Sequence, residues 1–117
     1  MRNTTLGHQY ADGEIIIKQG DEGNCLFVIQ EGNVGVYREN HSQETKIAEL
    51  GQGEFFGEMG LFERDVRSAT IRSIGKCRIL TIDKKNFYKT IQKDPSLAYR
   101  LLEKMSKRLR DTNKMIK

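Results

Sequence analysis

The 117-residue chain has a single proline, two cysteines and two histidines. No run approaches the roughly 18–20 consecutive apolar residues of a membrane span. The first ten residues, MRNTTLGHQY, contain no apolar core of signal-peptide type. A cytoplasmic location is therefore expected by elimination. Cys25 and Cys77 each lie inside an apolar run, where a free buried thiol is the ordinary reading; a disulfide lacks the secretory context it would need. The two cysteines are too isolated for a metal site, which needs ligand pairs at short spacing. His8 and His41 fall in loop-like contexts with no nucleophile nearby. Glu63 and Asp65 read as a polar turn tip rather than a catalytic carboxylate pair. The expectation is a protein that is not an enzyme and holds no metal or cofactor.

What is present is a soluble composition, 37% hydrophobic and 31% charged, at a length that supports one core and one domain, 1–117. The net charge of +4 is unevenly placed: from Ser96 to Lys117 seven Lys/Arg face Glu103 and Asp111, so the rest of the chain sums to −1. Such a run is ordinarily a solvated helix face. Neither membrane nor nucleic-acid binding by this chain alone is expected.

Eleven glycines and the proline divide the chain. Short β-rich segments are predicted around Glu14–Lys18, Cys25–Gln30 (closed by a turn at Gly32-Asn33), Val34–Glu39, the TKIAEL segment, SATIRSI and CRILTID. Strands of five to seven residues bounded by Gly-polar turns predict an antiparallel β-barrel or sandwich over about residues 10–83. About ten residues are expected before the first strand. Asp83 then caps a predicted helix to about Gln92. Asp94 and Pro95 open a second, as N-cap and first helical residue. In it Leu102, Met105, Leu109, Thr112 and Ile116 form an a/d seam, with Leu97 and Leu101 widening the stripe. C-terminal helices are thus expected over about 84–116, with a homodimer through the long one. Thr112 is the polar residue on that seam.

One segment fits neither pattern: GEMGLFERDVRSATI, Gly57 to Ile71. A short helical turn from 58 to 63, opened by a glycine, would expose unpaired backbone N–H groups, which bind anions. Arg67 could close on the same anion with a bidentate contact, and Ser68 adds a hydroxyl. A sugar hydroxyl is a suitable partner for Glu58. The alternative from the residues alone is that Glu58 and Arg67 pair with each other across a tight turn.

The stretch FGEMGLFERDVRSATI resembles the phosphate-binding cassette of cyclic nucleotide-binding domains, roughly F-G-E-[LMI]-[AG]-L, several residues, then R-[AST]-A. Phe56, Gly57, Glu58, Met59, Gly60, Leu61, Arg67, Ser68 and Ala69 all fit. The likeness covers about residues 10–116 and implies a jelly-roll β-barrel with a short phosphate-binding helix and a long C-terminal helix. It implies that Glu58 takes the ribose 2′-OH and Arg67 the cyclic phosphate, with Gly57, Met59, Gly60, Ser68 and Ala69 beside them. Val36, Ile47 and Ala48 would form the pocket wall.

The helix is similar to that of bacterial catabolite activators. Thr112 matches a threonine that contacts the adenine amino group, and Arg108 an arginine that approaches the cassette glutamate. Asn113 stands where those proteins have a serine supplied by the partner chain. Serine after the cassette arginine goes with cAMP in the bacterial activators, whereas a hydroxyl there serves cGMP in kinase-type members. The implied protein is a cAMP receptor whose C-terminal helix moves on binding, with cGMP as the alternative ligand. It would be a free-standing sensor or a fragment of a larger transcription regulator. A ligand-free interaction or dimerisation module is the rival reading.

Overall fold

A computed structural model describes residues 7–58, 60 and 65–116; the side chains of Asp65, Arg108, Leu109 and 111–116 lie outside the description. The chain forms two compact units, Met1–Lys84 and Lys85–Lys117.

The first unit is antiparallel sheet. Its strands are β1 (His8–Tyr10), β2 (Ile15–Ile17), β3 (Glu22–Gly23), β4 (Cys25–Asn40), β5 (Gln43–Leu50), β6 (Phe55–Phe56), β7 (Asp65–Val66) and β8 (Thr70–Asp83). Six of them make one sheet in the order β1-β8-β4-β5, with β2 on β8 and β6 on β4, while β3 and β7 form a separate two-stranded ribbon. The main sheet does not close into a complete barrel among the described residues. The mainly antiparallel β architecture followed by C-terminal helices is the one the sequence predicts.

Some expectations fail in an instructive way. SATIRSI and CRILTID, expected as two strands, are one, β8, which runs through Gly75 at φ +70°. The Gly32-Asn33 turn does not end a strand, because β4 runs straight through it for 16 residues. The register against β8 shifts between Ile29, Glu31 and Asn33, and Gly32 has φ +92°. The glycine supplies a bulge that bends the strand and leaves the ladder continuing on both sides. His8 is in β1, paired with Ile79, rather than in a loop; His41 is in the β4–β5 turn at φ 54°.

The core lies where β4 and β8 pair. Leu26 faces Ile82 and Ile29 faces Ile79 across the ladder, all four at most 1% exposed. Ile29 and Ile79 form one buried cluster with Ile17, Val34, Phe56, Ile71 and Cys77, whereas the Leu26–Ile82 pair, three residues away along each strand, is on the other face of the ladder. Full burial of each aliphatic side chain contributes about 1.5–3 kcal/mol, so the pairing of these two long strands carries much of the unit's stabilising burial. The expected free thiols are found: Cys77 is buried and Cys25 half-buried.

The second unit carries α1 (Lys84–Lys93), whose first residue belongs to the sheet unit, and α2 (Pro95–Ile116). Both begin within a residue of the predicted caps. At α2 the Asp94 carbonyl accepts from Leu97 N, and Ser96 Oγ donates to Asp94 Oδ1. The apolar stripe divides: Leu97 and Leu101 are 2% and 4% exposed, whereas Leu102 is 67% exposed. Among the described residues no helix is long and apolar enough to cross a membrane.

Candidate phosphate-binding site

The site residues of the sheet unit are set by the end of β6, the β3–β7 ribbon and the start of β8. Phe55 and Phe56 are both 4% exposed and anchor β6 on β4 through the pairs Phe27–Phe56 and Val28–Phe55. Phe56 stacks on Phe27 at 5.1 Å between ring centroids. The chain leaves this anchor at Gly57, in the left-handed region at φ +76°, which glycine enters without steric cost. Gly60 N then donates to Gly57 O at 3.2 Å, and Gly60 is helical. The expected helical turn over 58–63 otherwise falls outside the described residues, as does Met59.

Arg67 follows β7 and is 7% exposed. Its backbone is held by Asp21, whose carbonyl accepts from Arg67 N at 2.8 Å, and Gly20 N donates back to Arg67 O at 2.9 Å. Nη1 of its guanidinium donates to Gly57 O and Nη2 to Cys25 O, both at 3.1 Å. The guanidinium lies over the Phe27 ring, 5.7 Å from its centroid. Among the described residues no ion pair joins Arg67 to Glu58, so the pairing across the turn that the residues alone allowed is not the arrangement found. Glu58 is itself 3% exposed. A guanidinium has five N–H donors, and with two given to carbonyls three are left for a further acceptor; a hydrogen bond from it to an anion is charge-assisted.

Beyond Arg67 the chain re-enters the sheet. Ser68 is exposed, and its carbonyl accepts from Arg38 Nε at 3.3 Å. Ala69 is buried. Val36 on β4 stands opposite Ala48 on β5 and, on its other edge, opposite Ile71, which in turn faces Ile17. These in-register residues share one face, so a row of small and apolar side chains runs across the sheet from buried Ile17 to exposed Ala48. Ile47, its neighbour in β5, is 47% exposed.

The structure thus brings Gly57, Gly60 and Arg67 together and sets Val36 beside Ala48. Arg108, Thr112 and Asn113 belong to the second unit, with side chains outside the described residues.

Sequence reasoning missed Gly23, Cys25 and Phe27, which surround the Arg67 guanidinium. They line, with Arg67, Lys18, Asp21, Glu22 and Asn24, a cleft of about 210 Å³. Cys25 Sγ donates to Asn24 Oδ1 at 3.3 Å. Burial pushes the Cys25 thiol up, and Asp83 adds to the effect while Arg67 opposes it. The GDEG stretch gave one usable signal, a glycine beside an apolar strand, which reads locally as a turn.

This fold and cassette define a class. A family model for the cyclic nucleotide-binding domain matches residues 7–94, and the chain belongs to that family. Among curated relatives it is 34% identical over 111 residues to the cAMP-activated global transcriptional regulator CRP of Salmonella typhimurium, covering 93% of this chain and 53% of the relative. The chain therefore spans about half the length of the curated relatives it matches. Among solved structures, the Thermus thermophilus catabolite activator protein superposes with a TM-score of 0.77 at 32% identity, over 91% of this chain and 50% of that one. The EAL enzyme Bd1971 has been solved in cAMP-bound and cGMP-bound forms. They match 92% of this chain and 29% of theirs, at 30% and 29% identity, with TM-scores of 0.66 and 0.67.

Proposed function

We propose that this chain is a cyclic nucleotide receptor, with cAMP as its first ligand, that acts by binding rather than by turnover. The observation that carries the reading is Arg67: a buried cation with no carboxylate partner among the described residues, next to the glycine-led turn of an otherwise complete cassette. In this reading Arg67 binds the cyclic phosphate, with the amides around Gly57, Met59, Gly60 and Ala69 and the Ser68 hydroxyl beside it. Glu58 accepts from the ribose 2′-OH. Val36, Ile47 and Ala48 line the base side. The two units act as one domain, in which α2 moves toward the base and places Thr112, Arg108 and Asn113 at it. The nucleotide shifts that equilibrium only by its difference in affinity for the two states. The exposed Leu102 belongs to a seam for homodimerisation. The location is cytoplasmic, and DNA contact is no part of the role proposed for this chain. A relative named for cAMP activation supports the ligand class.

The cGMP-bound form of Bd1971, at 29% identity, favours cGMP as the second ligand. A thermal-shift titration with each nucleotide tests the reading. A ligand at 100 times its Kd adds about 2.7 kcal/mol to the stability of the folded state. No shift with either nucleotide at millimolar concentration overturns the receptor reading in favour of a ligand-free interaction module.

A further inference from the structure

The β4–β8 ladder ends at the pair Tyr37–Thr70. Arg38, Glu39 and Asn40 continue β4 with β5 on one side, opposite Thr45, Glu44 and Gln43. Among the described residues no strand pairs their other edge. Such an edge leaves backbone N–H and C=O groups without ladder partners, and here one side chain takes them. Gln19 Oε1 accepts from Glu39 N at 2.8 Å, and Gln19 Nε2 donates to Glu39 O at 3.2 Å. A primary amide offers the donor and acceptor of a peptide group, so Gln19 stands in for one residue of a missing strand.

The backbone of the same segment bonds in another direction, to the cassette. Gln19 N donates to Thr70 Oγ1 at 3.0 Å, Gly20 N donates to Arg67 O at 2.9 Å, and Asp21 O accepts from Arg67 N at 2.8 Å. Gly20, at φ +94°, makes the bend, and Asp21 N closes it on Lys18 O. Residues 19–21 are thus a brace with the end of β4 on one side and the Arg67 backbone on the other. We propose that Gln19 is a positioning residue of the nucleotide site: its side-chain amide fixes the brace to β4, and the brace fixes where Arg67 presents its guanidinium to the cyclic phosphate. Arg67 keeps its observed place in both the free and the bound protein. The inference rests on the receptor reading and deepens it, by naming what holds the cassette arginine from outside the cassette.

An arginine whose backbone can shift loses part of its alignment with the phosphate. Loss of the amide therefore weakens binding without removing a group that touches nucleotide. Gln19→Met keeps the length of the side chain but not its amide. The expected loss of affinity is about three- to tenfold, the scale of one ordinary hydrogen bond. Linkage makes the effect reciprocal: if the Gln19–Glu39 contact strengthens binding by some factor, saturating nucleotide strengthens that contact by the same factor. The Glu39 N–H is donated to Gln19 Oε1, so its exchange with solvent reports on the contact. It should be about three- to tenfold slower in the complex.

The test combines calorimetry with cAMP and cGMP on wild type, Q19M and Asp12→Ala with backbone amide exchange of ¹⁵N-labelled wild type and Q19M, each with and without nucleotide. Asp12 is the control: its Oδ1 accepts from Gly75 N at 2.7 Å, a side-chain tie of the same kind that holds neither β4 nor Arg67. The loss of affinity in Q19M, none in D12A, and slower Glu39 exchange in the complex together uphold the proposal. A Q19M affinity within about twofold of wild type overturns it. An equal loss in D12A also overturns it, because Gln19 then contributes only general stability. Glu39 exchange in wild type that saturating nucleotide leaves unchanged overturns it without a variant, so the question is decided even if Q19M does not fold. Failure of the receptor reading is a different result: wild type binds neither nucleotide. The Arg67 amide then still decides the brace, by exchanging faster in Q19M if Gln19 holds it and equally fast if not.

Discussion

Arg67 and Arg72 are five residues apart in one chain and have opposite fates. Arg72, on β8, donates to the Glu44 carboxylate of β5 and lies over the Tyr37 ring at 5.1 Å, with its side chain 31% exposed. The Glu44 hydrogen bond pushes its pKa further up. Arg67 is more deeply buried, yet its acceptors are two neutral carbonyls. A buried charge ordinarily carries its own counter-ion, because desolvation costs more than carbonyls return. Arg72 is a completed surface contact. Arg67 is a buried cation held by backbone carbonyls, and in the proposed function its neutralising partner is a bound phosphate.

The strongest way to break this contrast is to truncate each arginine. Arg67→Ala should weaken nucleotide binding by about 3–5 kcal/mol, the usual cost of removing one partner of a buried charge pair, or a few hundredfold or more. Arg72→Ala should leave affinity within about twofold. Calorimetry on both variants decides it: an R67A affinity within tenfold of wild type would falsify the role given to Arg67. Next in size is Gly57→Ala. A non-glycine residue held in the left-handed region costs about 1–3 kcal/mol, and the added Cβ would also be 3.2 Å from Cys25 O. Urea denaturation should show a loss in that range. Unchanged stability would mean that the turn relaxes and that Gly57 is not needed for its conformation.

These residues also show what was legible in the chain. The cassette could be read because its parts are close together in sequence: Gly57, Glu58 and Arg67 span eleven positions. The helix starts could be read because caps are local, and Asp83, Asp94 and Pro95 act on the residues beside them. The surroundings of the Arg67 guanidinium could not be read, because Cys25 O and Arg67 are 42 positions apart and Gly23 has the local look of a turn. The strands β1, β3 and β7 have three, two and two residues, too few for an alternation to register, and they exist only by pairing with distant partners. Gly32 and Gly75 have the left-handed conformations of turns, yet β4 and β8 pass through them because their hydrogen-bonding partner continues on both sides.

A smaller effect sharpens the comparison from the Arg67 side. The Cys25 thiol, whose carbonyl holds Arg67, is pushed above its ordinary value of 9.0 by burial, and Tyr10 above 10.0 for the same leading reason. A thiol or phenol with a raised folded-state pKa keeps its proton in the native state after the unfolded chain has lost it. The stability involved is fully present below the unfolded values and falls as pH rises through them. Stability measured by denaturant titration should therefore decline from about pH 9 upward, and less steeply in Cys25→Ala. Equal slopes in both proteins would remove Cys25 from the account.

The smallest effect belongs to the completed pair. The side chains of Arg72 and Glu44 are 31% and 36% exposed, so solvent screens their attraction and rotamer entropy opposes it. A double-mutant cycle of Arg72→Ala and Glu44→Ala should give a coupling of about 0.2–1 kcal/mol, and less at high salt, where exposed charges are screened. A coupling of several kcal/mol that salt does not alter would mean that Arg72 is as dependent on its partner as Arg67 is proposed to be on a phosphate. The distinction between a finished contact and one awaiting its anion would then fail.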